Sequence, residues 1–118
     1  MPSITMAADA LAKRVASARF GFSLDRAVGA FVRLLSAVPD SNPLQVSRAD
    51  VADLRKTSER VIESIERRLE TRRDRQSIRL SLASAVYRIR YETEGIERWH
   101  RHFRTSQPSG PIATRAYQ

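Results

Sequence analysis

Cysteine is absent from this chain, which excludes a disulfide framework, thiolate metal sites and a thiol nucleophile and is neutral about redox compartment. Helix breakers are scarce. There are four glycines and five prolines in 118 residues, and neither type occurs between residues 44 and 94. Aromatic residues make up 7%, and Lys13 and Lys56 are the only lysines. No apolar run approaches the roughly 20 residues a membrane-spanning helix needs. No serine stands in a glycine-flanked elbow, and no glycine-rich loop is present to cradle phosphates. Catalysis and cofactor binding therefore have no foothold in the sequence, and a non-enzymatic protein without a cofactor is expected, cytoplasmic in location.

What is present describes a folded helical protein. A hydrophobic share of 42% and a charged share of 29% suit a single domain with one modest core. The 21 basic residues against 13 acidic ones give a formal charge of +8. This surplus is local. Residues 1–47 carry five bases and three acids, whereas residues 67–90 carry eight arginines against Glu70 and Asp74.

The longest pattern lies between Ser47 and Arg104. Steps of three and four residues trace a heptad-like seam through Val51, Leu54, Ser58, Val61 and Ile65, and then through Arg68, Arg72, Arg75 and Arg79. The seam becomes apolar again at Leu82, Val86 and Ile89 and continues through Thr93, Ile96, His100 and Phe103. Its outer parts are helix faces ready to pack. Its middle is four guanidinium groups.

Ahead of this stretch, residues 6–20 form a first helix with Leu11, Val15, Ala18 and Phe22 sharing a face, and Ser3 or Thr5 available as its cap. The alanines, serines and bases there superficially resemble an organellar presequence, but Asp9 argues against one and a core helix is the plainer reading. Residues 21–23 break the register. A second helix over 24–38 then buries Leu24, Val28, Phe31, Leu35 and Val38, with Ser23 as cap and Phe22 stapled onto Ala27. Gly29 inside it suggests close approach of a neighbouring helix. Pro39-Asp-Ser-Asn-Pro43 is a turn, and Ser47-Arg-Ala-Asp50 begins the third helix with a capping box.

One helix over residues 48–104 would be about 85 Å long, against a radius of gyration of about 13–14 Å for a compact chain of this size. In a parallel dimer of such rods, Arg68, Arg72, Arg75 and Arg79 would face their own copies across a dry seam, which is severely unfavourable. A turn near residues 71–77, with Asp74 or Ser77 capping the next helix, removes the conflict. Ile65 then faces Leu82, Val61 faces Val86 and Ser58 faces Ile89, and the arginines gather at a solvated tip. A rival reading has strands over residues 77–82 and 86–92, but their connection, Ala83-Ser-Ala85, lacks a turn residue.

The expected architecture is an all-α bundle of about four helices, 6–20, 24–38, 48–72 and 76–104. The last two form a long antiparallel hairpin and the first two pack over its open end, with self-association as the alternative. Residues 1–104 are one domain and 105–118 a flexible tail. Glu97-Arg-Trp-His100 has the spacing of a di-iron half-site, but a metal centre needs a second such motif and two more carboxylates. No metal site is assigned. Glu59, Glu63, Glu66 and Glu70 alternate with Lys56, Arg60 and Arg67, the pattern of a solvated, ion-paired helix. The candidate contact surface is Arg67, Arg68, Arg72, Arg73, Arg75 and Arg79. It could face an acidic partner protein or, as the alternative, nucleic-acid phosphates. The lack of interleaved aromatic residues in 67–86 argues against stacking on single strands. A membrane surface is disfavoured because the first helix is only weakly amphipathic, and a homo-oligomer stays open.

Overall fold

Four helices form where hydrophobic periodicity and capping agree. A computed structural model describes residues 3–106: α1 (Ile4–Ser17), α2 (Gly21–Ala37), α3 (Arg48–Thr71) and α4 (Gln76–Ser106). Short 3-10 turns at Val38–Asp40 and Pro43–Gln45 join α2 to α3. No strand occurs among the described residues, and residues 77–92 are helical throughout. The expected tail falls largely outside the described residues, since α4 continues to Ser106.

The helix boundaries follow local chemistry. Ser3 accepts a hydrogen bond from the Met6 amide and starts α1 two residues earlier than read from sequence. At α3 the capping box is complete: Ser47 Oγ accepts from the Asp50 amide, and the Asp50 carboxylate accepts from the Ser47 amide. The α1–α2 corner corrects the sequence reading. The second helix begins at Gly21 with Phe20 at its cap position and no side-chain cap bond, so Ser23 caps nothing. Phe22 is exposed with Arg26 over its ring at 5.5 Å, not stapled inward.

α1 packs on α2 and α3, and α4 packs on α2 and α3, so the helices follow the cyclic order α1–α2–α4–α3. The core takes Ala8, Ala12 and Val15 from α1 and Leu24, Val28, Phe31 and Leu35 from α2. From α3 it takes Leu54, Val61 and Ile65, and from α4 Leu82, Val86, Ile89 and Ile96. The predicted faces of α2, α3 and α4 are thus the buried ones. On α1 the expected face is buried at Val15 and packs against the core at Leu11 and Ala18, with Ala8 and Ala12 enclosed beside it, and only Phe22 departs by facing solvent. The molecule is elongated, 65 × 26 × 18 Å with a radius of gyration of 17.4 Å.

α3 and α4 meet through Arg55 with Glu97, Ser58 with Thr93 and Glu66 with Arg90. Ser58 therefore bonds Thr93, one turn beyond the Ile89 that mirror symmetry of the seam suggested. Thr93 satisfies its hydroxyl by donating to the Ile89 carbonyl and accepting from the Ser58 hydroxyl, and every buried side-chain polar atom among the described residues has a partner. Gly29 also departs from expectation. A Cβ there would meet only Arg33 Nη1 of its own helix, at 3.5 Å, so no neighbour crowds it.

Candidate functional site

The chain leaves the helical path at residues 72–75, inside the interval where the arginine seam required a break. Arg72 ends α3 in an extended conformation, φ −126° and ψ 148°, with its amide bonded to the Arg68 carbonyl. The first backbone bond of α4 runs from the Arg79 amide to the Arg75 carbonyl. Ser77 lies inside the helix, and Asp74 has another task than capping.

That task is to hold Arg68. The Arg68 guanidinium donates Nε to Asp74 Oδ2 at 2.9 Å and Nη2 to Oδ1 at 3.0 Å, a two-pronged pair whose side chains are only 11% and 12% exposed. Nη1 reaches the Ala18 carbonyl at 3.4 Å, at the C-terminal end of α1. On its other side the Asp74 carboxylate lies against Gly21, the first residue of α2, where an added Cβ would come within 2.6 Å of Oδ1. The cation thus sits at the negative end of one helix and the anion at the positive end of the next. Bonding to Arg68 holds the Asp74 carboxyl below the ordinary carboxylate range, and the same bond raises Arg68 further above its own.

Two corrections follow for the sequence reading. Arg68 belongs to an enclosed structural pair and is not part of a solvated tip. The first two helices do not simply cover the far end of α3 and α4, because their corner docks at the 72–75 connection. Gly21, read from sequence as a break in register, is the residue whose missing side chain admits Asp74.

The other candidate arginines separate by what they touch. Arg67 is exposed and pairs with Glu63 at 2.7 Å. Arg79 is half-buried and donates to the Arg72 carbonyl at 2.9 Å, tying the connection to α4. Arg72, Arg73 and Arg75 are exposed and make no ion pair among the described residues. An open groove of about 450 Å³ runs beside them, walled by Leu69, Glu70 and Thr71 as well as Arg72, Arg73 and Arg79.

At the far end, His100 is buried and its Nε2 donates to the Val46 carbonyl at 2.8 Å. Its ring lies 6.2 Å from that of Trp99, tilted by 56°. Glu97 is taken by Arg55, which holds its carboxyl below the ordinary range. Both members of the Glu-x-x-His spacing are thus committed to other partners. No group of three or more metal-ligating side chains occurs among the described residues.

Sequence reasoning passed over one surface. Tyr87 and Tyr91 lie on the solvent side of α4, 76% and 65% exposed, beside α2. The signal was legible as two tyrosines four residues apart on the side of the helix away from the seam.

The fold and these surfaces define a small basic four-helix protein, with no helix among the described residues long and apolar enough to cross a membrane. Compared with known proteins, the chain matches no family model, no curated protein and no solved structure.

Proposed function

We propose that this is a non-enzymatic interaction protein of the adaptor or regulatory kind, which contacts an acidic partner protein through the arginines of the 72–75 connection. In this reading α3 and α4 form a long antiparallel hairpin, supported by the pairings of Arg55 with Glu97, Ser58 with Thr93 and Glu66 with Arg90. The observation that carries the proposal is the contrast within the basic cluster. Arg68 is consumed by Asp74, while Arg72, Arg73 and Arg75 remain exposed and form no ion pair among the described residues. Guanidinium groups held on a braced turn are suited to bidentate contact with carboxylates. The clasp beneath them fixes the backbone from which they project, which lowers the ordering cost of binding.

The test is capture of partners from native lysate with and without nuclease, using the full chain and a variant with Arg72→Gln, Arg73→Gln and Arg75→Gln. Arg68 is left intact so that folding is spared. Retention of a protein partner after nuclease treatment, and its loss in the triple variant, is the expected result. A ligand lost on nuclease treatment, with binding that falls steeply as salt rises, would replace the acidic partner by nucleic-acid phosphates. Unchanged capture by the triple variant would reduce the cluster to solvated surface.

A further inference from the structure

The tyrosine surface overlooked in the sequence lies away from the arginine connection. Between α2 and α4 runs an open groove of about 540 Å³, lined by Gly29, Val32 and Arg33 on one side and Tyr87, Arg88 and Tyr91 on the other. Gly29 opens its middle. Space beside that residue is empty except for the Arg33 side chain, and a glycine in a helix centre costs helix stability that no close packing here explains. Along α4, Leu80, Ser84, Tyr87 and Tyr91 follow the i, i+4, i+7, i+11 spacing of one helical face. That face spans about 16 Å, or three turns. Leu80 and both tyrosines are exposed.

The two walls differ in chemistry. On α2, Arg33 lines the groove one turn after Gly29 and makes no ion pair among the described residues, whereas Arg26, one turn before it, stacks over the Phe22 ring. Acids nearby are already engaged: Asp25 accepts from the Ser81 hydroxyl at 2.7 Å, and Glu92 is held by Arg88. The α2 wall thus offers an unpaired cation in Arg33, and the α4 wall is aromatic with its Arg88 already paired with Glu92.

We infer that this groove receives an acidic amphipathic helix of a partner protein, its apolar side on Tyr87 and Tyr91 and its carboxylates on Arg33. A helix laid in a groove presents one apolar stripe and one polar flank, which is the arrangement these walls complement. Charge disfavours the two other occupants this chain could supply. A second copy would bring a +8 molecule against another. The chain's own residues 107–118 contain Arg115 and no acid. The inference does not rest on the arginine connection and is tested apart from it.

The probe is a fluorescein-labelled synthetic peptide of about sixteen residues, with leucines on one helical stripe and glutamates elsewhere. Its anisotropy is followed against the full chain at physiological salt. Comparison ligands are a peptide of the same composition with its leucines scattered, a version with lysine for glutamate, and oligo-deoxythymidine. Saturable binding of the first peptide is expected, with the others at least about tenfold weaker, as loss of a central anchor produces. Gly29→Phe, which fills the groove, and the pair Tyr87→Ala with Tyr91→Ala should each weaken it at least about tenfold with helical content and melting temperature retained. The Arg72, Arg73 and Arg75 variant should leave it within about twofold, which separates failure here from failure of the connection surface.

Equal binding of the scattered peptide would overturn the inference, since charge alone would then suffice. So would displacement by oligo-deoxythymidine that depends on the tyrosines, which would make the groove a base-stacking platform. Tyrosine-dependent self-association seen by light scattering would assign it to a second copy instead.

Discussion

The two ends of the α3–α4 pair are both tied to the rest of the chain by polar contacts, but of different kinds. At the connection, Arg68 and Asp74 form a two-pronged ion pair wedged between the end of α1 and the start of α2. At the far end, the His100 imidazole bonds the Val46 carbonyl just ahead of α3, and the two-pronged Arg55–Glu97 pair joins α3 to α4 themselves instead of to other helices. A charge taken nearly out of water needs a full counter-charge and a tight fit. A carbonyl needs one donor. The connection is accordingly the more exacting end, and it is also where the unpaired arginines project. One basic run thus supplies both an enclosed, paired guanidinium and exposed ones.

Removing Asp74 is the sharpest way to break that comparison. Asp74→Ala strands the Arg68 guanidinium in a nearly enclosed position and should cost about 3 kcal/mol, measured by urea unfolding. The double variant Arg68→Met with Asp74→Ala should recover most of the loss, because the penalty lies in the orphaned charge. If the double variant is as unstable as the single, the pair stabilises through its shape instead. At the opposite end, His100→Ala should cost about 2 kcal/mol by leaving the Val46 carbonyl without its donor. No second substitution of comparable simplicity should repair it.

Acid tests both ends at once. Bonding to Arg68 and to Arg55 lowers the carboxyls of Asp74 and Glu97 from ordinary values of 3.8 and 4.5. The unfolded chain therefore takes up those protons first as pH falls. The stability these groups confer is complete above the ordinary carboxylate range and is lost as pH drops through it towards the lowered values. Melting temperature should be flat from neutrality to about pH 5 and then decline. Asp74→Asn combined with Glu97→Gln should give a lower but shallower profile.

The smallest effect is a control placed away from both ends. Gly29→Ala puts a methyl group where only Arg33 is near, so the gain in helix propensity should raise stability by up to ~1 kcal/mol. A loss instead would mean that a close contact forms at Gly29 in solution, contrary to an open groove.

Much of the architecture could be read in advance wherever a residue's role depended on near neighbours in sequence. The capping box at Ser47 and Asp50, the apolar rows of α2, α3 and α4, and the break within residues 72–75 all follow from periodicity, capping and the cost of buried like charge. The α1–α2 corner was misread because Ser23 looks like a cap. The helix nevertheless starts three residues earlier than read, at Gly21, which lies against Asp74 more than fifty residues away in sequence.

Of the candidate contact surface, Arg67, Arg72, Arg73, Arg75 and Arg79 do surround the connection, but nothing in their spacing distinguishes Arg68 from them. Its separate role depends on the Ala18 carbonyl and on where Asp74 is pressed by Gly21, both products of how distant helices dock. Likewise Tyr87 and Tyr91 become the wall of a groove only when α2 lies beside α4 with a glycine facing them.

The order of residues along the chain determined that the protein is helical, where its helices run and that the arginine seam must be interrupted, because these depend on local backbone preference and on charge that no dry interface accepts. Only the packed structure decided which arginine is enclosed, which glycine is crowded and which tyrosines flank a groove. Those outcomes depend on distances between residues far apart in the chain, and a one-dimensional pattern carries no such distances.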